Sequence, residues 1–147
     1  MPTKLRAAVM MTLALGVSAP ASAQTDIVGS WTFETERYRA GVCRLYGTMK
    51  VRTTPENDVY RCAVTAVEDC EGQDRWVVEQ TCSAYRANNI LSVRSTIVSF
   101  IEANVNPENY VPDHFALEIA SPDLMTGSLV SAIVAPVEFR RTTDGIS

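Results

Sequence analysis

The 147-residue sequence has little histidine and no excess of basic charge. His114 is its single histidine, and 13 Lys and Arg residues stand against 17 Asp and Glu residues, which gives a net charge of -4. A nucleic-acid-binding protein would need a basic face, so this class of partner is not expected. Gly and Pro number only seven each, which argues against collagen-like and low-complexity chains. The length suits one compact domain.

The hydrophobic run near the N-terminus is too short to span a bilayer. Lys4 and Arg6 precede a run of small and apolar residues from Ala7 to Val17. Its length of about eleven residues falls short of the roughly 20 that a membrane-spanning helix needs. Ala21-Ser22-Ala23 has the A-x-A pattern of a signal-peptide cleavage site. We therefore predict a signal peptide over residues 1–23.

Removal of the signal peptide leaves a single predicted domain over residues 24–147. The signal peptide contains two basic and no acidic residues, so the remaining domain has a net charge of -6. An acidic surface favours solubility and disfavours anionic partners. We predict a periplasmic or secreted monomer without membrane insertion.

Four cysteines lie in the predicted domain, an even number in a chain expected to be exported. Cys43, Cys62, Cys70 and Cys82 are separated by 18, 7 and 11 residues, and none of these spacings is the close pair typical of a zinc site. Disulfides are therefore predicted, and no metal site is. If residues 55–58 and 71–74 form turns between strands, Cys43 lies opposite Cys70 and Cys62 opposite Cys82. The alternative connectivity is Cys43–Cys62 with Cys70–Cys82.

Alternation of apolar and polar residues with a period of two runs through the domain. Its clearest case is the segment from Cys43 to Arg52, in which apolar residues alternate with Arg44, Tyr46, Thr48, Lys50 and Arg52. Such alternation is typical of half-buried β-strands. In a later segment it predicts Leu91, Val93, Ile97 and Ile101 on one face. One helical turn is a further possibility over residues 99–104.

About eight strands joined by short turns predict an all-β fold. Sequential hairpins favour an antiparallel up-and-down barrel of eight strands, because closure of the sheet removes exposed strand edges. The interior of such a barrel is either filled by side chains or holds one small ligand. Two disulfides would cross-link neighbouring strands of this barrel.

Two short motifs resemble the pattern of lipocalins and related calycins. Gly29-Ser30-Trp31 opens the first predicted strand, and Arg140 and Arg141 lie in the last one. In that superfamily a G-x-W tryptophan crosses one end of the barrel, and an arginine from the final strand packs over its indole. The resemblance implies a small exported lipocalin-like barrel of bacterial type. It also implies a barrel-closing role for Gly29, Trp31 and Arg140 or Arg141.

A binding function follows from this fold more readily than catalysis. If the barrel holds a small apolar ligand, inward side chains should line a cavity of roughly 300 Å³ or more. The candidate ligand-binding residues are Met49, Val64, Val78, Val93 and Leu117. The alternative is a protein-interaction module, such as an inhibitor of a secreted hydrolase, and bacterial metalloprotease inhibitors have a comparable exported barrel. In that case the partner would be an envelope or secreted protein.

The sequence offers little for enzymatic chemistry. A nucleophile-and-base site would have to use His114, and Asp113 is a poor partner because adjacent strand side chains point to opposite faces. We predict no catalytic residue and no cofactor. Gln80, Ser95 and Ser99 lie on otherwise apolar faces, where they either satisfy each other or anchor a ligand.

Overall fold

The structure, a computed structural model, describes residues 16, 25–103 and 106–143. Within these ranges the chain forms eight β-strands and one short 3-10 helix, η1. Residues 1–23, predicted as a signal peptide, lie outside the described residues apart from residue 16. The strands are β1 (Gly29–Thr35), β2 (Cys43–Thr53), β3 (Val59–Cys70), β4 (Trp76–Ala87), β5 (Ile90–Glu102), β6 (His114–Ser121), β7 (Leu124–Val130) and β8 (Val134–Arg141), and η1 is Pro107–Asn109.

The strands form a closed antiparallel barrel in which each strand pairs with its neighbours in the sequence. The order is β1 to β8, and β8 pairs back onto β1, with Phe33 opposite Phe139. The predicted all-β, eight-stranded up-and-down barrel is therefore confirmed. The helical turn expected over residues 99–104 is wrong for its described part, because β5 continues as strand to Glu102. The 3-10 turn comes later, at η1.

Both predicted disulfides are present. Cys43 faces Cys70 across the β2–β3 ladder, and Cys62 faces Cys82 across the β3–β4 ladder. The alternative connectivity is excluded by this register, which joins cysteines from directly opposed positions. These two bridges are consistent with an extracellular or periplasmic protein.

Side chains fill the middle of the barrel. The rings of Phe33, Phe115 and Phe139 contact one another with centroid distances of 5.0–5.3 Å. Gly47 lies on the inward face of β2, where a Cβ atom would stand 1.9 Å from the backbone oxygen of Thr65 and 3.1 Å from Phe33. A larger residue at position 47 would therefore displace both the adjacent strand and the central ring.

Two register shifts near the end of β5, the first of them a β-bulge between Ile97 and Ser99, change which side chains face inward. Gln80 pairs with Ile97, but Val78 already pairs with Phe100, so β5 has an extra residue in this stretch. An extra residue reverses the alternation of faces beyond it. The prediction that Ile101 faces inward with Leu91 is therefore wrong: Ile101 is 58% exposed, and Phe100 instead contacts Trp76 on β4.

Candidate functional site

One end of the barrel is closed by the segment that precedes β1. Ile27 is fully buried, and its carbonyl oxygen accepts a hydrogen bond of 3.0 Å from the indole nitrogen of Trp31. The Arg141 guanidinium lies 4.5 Å from the centroid of the Trp31 ring and donates to the carbonyl oxygens of Asp26, Val28 and Pro122. We refer to this as the closed end.

The geometry at the closed end distinguishes the two arginines of the last strand. Arg141 stacks on Trp31, whereas the Arg140 side chain is 66% exposed and pairs with Glu138 on the outer surface. Gly29 has a φ of 129°, and a Cβ atom there would stand 2.9 Å from the Arg141 guanidinium. Glycine therefore allows both the backbone conformation and the close approach of the arginine.

The opposite end, which we call the open end, carries the connections 36–42, 71–75 and 131–133 and the described residues 103 and 106–113 between β5 and β6. It contains a cavity of about 280 Å³, the mouth pocket. Its walls are mostly polar and aromatic, and its apolar side is formed by Val111, Leu129, Ala132 and Ile133. The remaining lining residues are Tyr38, Arg39, Glu68, Gln73, Trp76, Asn106, Asn109, Tyr110, Asp113 and Ser131.

A buried carboxyl group forms the polar centre of the mouth pocket. Asp113 is 2% exposed, and its Oδ2 atom accepts hydrogen bonds from Gln80 Nε2 at 2.6 Å and from the Tyr110 hydroxyl at 2.8 Å. The Asp113 backbone N–H donates to Gln80 Oε1 at 2.9 Å. Gln80 thus holds Asp113 through both ends of its amide group.

Burial is the main influence on the protonation of this site. Desolvation, assisted by the negative charge of Glu68, raises the pKa of Asp113 to about 6, although the hydrogen bonds from Tyr110 and Gln80 act in the opposite direction. Among the described residues, no cationic side chain lies within ion-pair distance of Asp113. At neutral pH the pocket therefore contains a buried carboxylate whose hydrogen-bond donors, Gln80 and Tyr110, are uncharged.

A second carboxyl group lies at the rim of the same pocket. Glu68 accepts a hydrogen bond of 2.8 Å from the Tyr38 hydroxyl, and the Arg39 guanidinium lies 3.6 Å from Glu68. Burial and the Glu68 charge raise the pKa of Tyr38, and burial and the Asp113 charge raise that of Tyr110. Both phenols therefore stay protonated and act as hydrogen-bond donors to the carboxylates.

Aromatic rings form one wall of the mouth pocket. Trp76 and Tyr110 line it with a centroid distance of 5.5 Å, and Phe100 packs behind them at 5.7 and 6.0 Å. The bulge in β5 brings Phe100 to this position. The pocket thus combines two carboxylates with flat aromatic surfaces.

The five candidate ligand-binding residues lie elsewhere. Each is at most 2% exposed, and none of them lines the mouth pocket. All belong to the described barrel interior: Met49, Val64, Val78, Val93 and Leu117. The space available to a ligand at the open end is therefore formed by other side chains.

Sequence reasoning missed Asp113, because it considered this residue only as a partner of His114. The signal was present: Asp113 precedes the inward residues Phe115 and Leu117 in steps of two, so the same alternation places it inside. His114 points elsewhere, and its Nδ1 atom accepts a hydrogen bond from the Ser95 backbone N–H at 3.0 Å. Burial, together with the charge of Arg94, lowers the pKa of His114.

The two serines that were also predicted on apolar faces have different environments. Ser95 is 6% exposed, and its hydroxyl is the one buried side-chain polar atom without a partner in the described part of the chain. The prediction that Ser99 lies on an apolar face is wrong: beyond the bulge it lies opposite the exposed Glu79, to which its hydroxyl donates at 3.0 Å. Within the described ranges no group of three or more His, Cys, Asp and Glu side chains is placed to hold a metal ion. The described residues also include no helix long and apolar enough to cross a membrane.

Replacement of Asp113 by Asn should stabilise the protein at neutral pH. The pKa of about 6 in the folded chain exceeds the ordinary value of 3.8, so the folded state binds more protons between these values. The shifted pKa therefore contributes stability to the folded protein that is present below about pH 4 and is lost as the pH rises through 6. The free energy lost over this range is about 3 kcal/mol at most. We expect Asp113→Asn, which retains both accepted hydrogen bonds, to raise the free energy of unfolding by about 2 kcal/mol at pH 7.5.

Urea denaturation at pH 7.5 and pH 4 measures this effect. The gain should fall to a small fraction of this value at pH 4, where folded Asp113 is protonated and unfolded Asp113, with a pKa near 3.8, is protonated only in part. Titration of His114 affects the wild type and the variant equally and cancels in their difference. If Asp113→Asn were equally destabilised at both pH values, ionisation of the buried Asp113 carboxyl would not be what lowers the stability of the wild type.

Comparisons with known proteins bear on the fold alone. No protein-family model matches the chain, and no curated protein shows significant similarity to it. A solved structure of a de novo designed fluorescence-activating β-barrel is similar, with a TM-score of 0.54 and 17% sequence identity. The alignment covers 78% of this chain and 93% of the designed one. At this identity the likeness supports a common barrel architecture.

Proposed function

We propose that this chain is an exported, non-catalytic binding protein that holds a small ligand in the mouth pocket of a lipocalin-like barrel. The observation that carries the proposal is the buried Asp113–Gln80 pair at the base of a cavity with aromatic walls. Ligand sites typically combine an apolar or aromatic lining with a few placed polar groups. The volume of about 280 Å³ limits the ligand to a small molecule.

The arrangement of the two barrel ends supports the same proposal. The closed end is occupied by Ile27, Trp31 and Arg141, and the middle is filled by the phenylalanine cluster. A ligand bound by Met49, Val64 and the other three core candidates would require those packed side chains to move apart. The mouth pocket requires no such rearrangement, so we assign the ligand to the open end. Its apolar part would lie against Trp76 and Ile133.

The similarity to a designed fluorescence-activating barrel is compatible with ligand binding by such a fold. Export is supported by the A-x-A pattern at residues 21–23 and by the two disulfides. The non-catalytic role is supported by the position of His114, whose Nδ1 atom is already engaged by the Ser95 backbone.

Native mass spectrometry of the full chain, purified from the compartment to which it is exported, tests the proposal. We expect a small molecule that stays bound under non-denaturing conditions and is released on unfolding. Ala132→Trp, at the rim of the mouth pocket, should abolish this adduct. Asn57→Trp, in an exposed turn at the closed end, is the matched control and should retain it.

Two results would overturn the proposed site. A wild-type protein without any bound molecule would contradict the proposed function. An adduct that survives in Ala132→Trp would contradict the mouth pocket as its site and favour the five core side chains.

A protein-interaction module, such as an inhibitor of a secreted hydrolase, is the second candidate function. The observation that favours it is the last part of β5, because the described β5–β6 pairing ends at Val93 opposite Phe115. Val98 and Ile101 in that part are 61% and 58% exposed. An exposed strand edge with apolar side chains can pair with a strand of another protein. Val98→Lys with Ile101→Lys should then abolish the interaction and leave small-molecule binding intact.

A further inference from the structure

We propose that the mouth pocket selects a small organic cation, namely an alkyl- or arylalkylammonium compound. This inference rests on the proposed ligand-binding function and names the chemical class of the ligand. It is carried by the juxtaposition of two carboxylates with aromatic rings around one cavity of limited size.

The charges around the pocket are not balanced. Asp113 and Glu68 contribute two carboxylates, and Arg39 is the one basic side chain among the described residues that line the cavity. Arg39 is half-exposed and lies beside Glu68 at the rim, so its charge is offset by that residue. The carboxylate of Asp113, 2% exposed, lacks a cationic partner among the described residues. A buried charge without a counter-charge is unfavourable, and an ammonium group on the ligand would supply the counter-charge.

The hydrogen bonds inside the pocket favour the same sign of ligand charge. The hydroxyls of Tyr38 and Tyr110 donate to Glu68 and Asp113, so these donors are already engaged and are not offered to an anion. An anionic ligand would instead be placed next to two carboxylates. A neutral apolar ligand would further desolvate Asp113 without compensating its charge.

The aromatic rings supply the second element of cation recognition. The side chains of Trp76, Tyr110 and Tyr38 line the cavity, and ammonium groups bind favourably over aromatic faces, with Trp the most favourable ring. A bare metal ion fits less well, since it would need several oxygen or nitrogen ligands around one point. A cation with an organic body of fewer than about a dozen heavy atoms satisfies the charge, the rings and a volume of this size.

Titration calorimetry with two probes of similar shape tests the inference. The probes are phenethylammonium and neutral 2-phenylethanol, each added to the full chain at pH 7.5 and low ionic strength. We expect the ammonium probe to bind at least tenfold more tightly than the alcohol. Asp113→Asn, which preserves the shape of the side chain, should reduce this ratio to about one by weakening the ammonium probe alone.

A surface carboxylate provides the matched control. Glu118→Gln removes one negative charge from the outer surface of β6 and should leave both affinities unchanged. Trp76→Leu should weaken both probes, because it removes the ring against which the phenyl group packs. Circular dichroism confirms that each variant is folded.

The possible outcomes separate this inference from the proposed function. Equal binding of both probes, or tighter binding of the alcohol, would overturn the cation selectivity while the mouth pocket remained a ligand site. Failure of both probes to bind would also overturn it. In that case an adduct lost in Ala132→Trp would show that the pocket holds another class of ligand, whereas absence of any adduct would remove the proposed function as well.

Discussion

Trp31→Ala is expected to lower the free energy of unfolding by about 4 kcal/mol, in the range typical of buried Trp-to-Ala substitutions. Trp31 is fully buried at the closed end, where its indole nitrogen donates to Ile27 and its ring carries the Arg141 guanidinium. Alanine would leave a cavity, an acceptor without its donor and an arginine without its aromatic surface. Guanidinium chloride denaturation measures the loss.

Adjacent arginines provide the internal control for this prediction. Arg141→Ala should cost about 2 kcal/mol, because it removes the cation–π contact and three hydrogen bonds to carbonyl oxygens from a side chain that is 23% exposed. Arg140→Ala, on the outer surface, should cost less than about 0.5 kcal/mol. Combining Trp31→Ala with Arg141→Ala should cost about 1 kcal/mol less than the two separate losses together. Full additivity, or equal effects of the two arginines, would contradict a closed end built on this stack.

The fold could be predicted from the sequence because barrel formation depends on a local signal. The alternation in β2 placed Arg44 and Lys50 outside and Leu45 and Met49 inside, and turn residues fixed the lengths of the hairpins. Once two hairpin turns were located, the register followed, and the register alone brought Cys43 opposite Cys70. Each of these steps requires only neighbouring residues in the chain.

The mouth pocket was not predictable in the same way. Its aromatic wall depends on a bulge in β5 that reverses the faces of the strand and brings Phe100 into contact with Trp76. The residue types in this segment do not predict the bulge. Asp113 lies outside the regular part of β6, where reading the alternation one step further would have placed it inside. Its partner Gln80 was recognised as an inward polar residue, but its pairing with Asp113 joins positions 33 residues apart, which sequence patterns alone do not connect.

The two barrel ends have complementary roles in this view. At the closed end the polar groups form hydrogen bonds within the chain, because the Arg141 guanidinium and the Trp31 indole both donate to backbone carbonyl oxygens. At the open end the buried Asp113 carboxylate keeps a charge that the described residues do not neutralise. The closed end therefore contributes to stability through polar groups that are satisfied within the chain, and the proposed ligand site lies at the other end. This separation allows substitutions at the closed end to change stability without altering the proposed site.

The disulfides allow stability and ligand binding to be separated experimentally. The bridges span 27 and 20 residues, so loop closure predicts nearly the same contribution from each, about 3 kcal/mol. All four cysteines are buried, but Cys62 and Cys82 pack into the central hydrophobic cluster, whereas Cys43 and Cys70 lie outside that cluster at the open end, and we expect this packing to set the difference. We expect Cys62→Ala with Cys82→Ala to cost about 4 kcal/mol, since the loss of two core sulfur atoms adds about 1 kcal/mol.

Cys43→Ala with Cys70→Ala should cost about 3 kcal/mol and should also weaken ligand binding. This bridge joins the ends of β2 and β3 beside Glu68 and Tyr38, which line the mouth pocket, and the backbone of Tyr38 is paired with that of Cys43. The core bridge has no such contact, so its removal should leave the affinity for the ammonium probe unchanged in protein that remains folded. Denaturation curves and calorimetry on the two double variants measure both quantities. If removal of the Cys43–Cys70 bridge lowered stability more than removal of the Cys62–Cys82 bridge, the expected difference in packing would be contradicted. If both double variants lost affinity equally, a specific effect of the Cys43–Cys70 bridge on the mouth pocket would be contradicted.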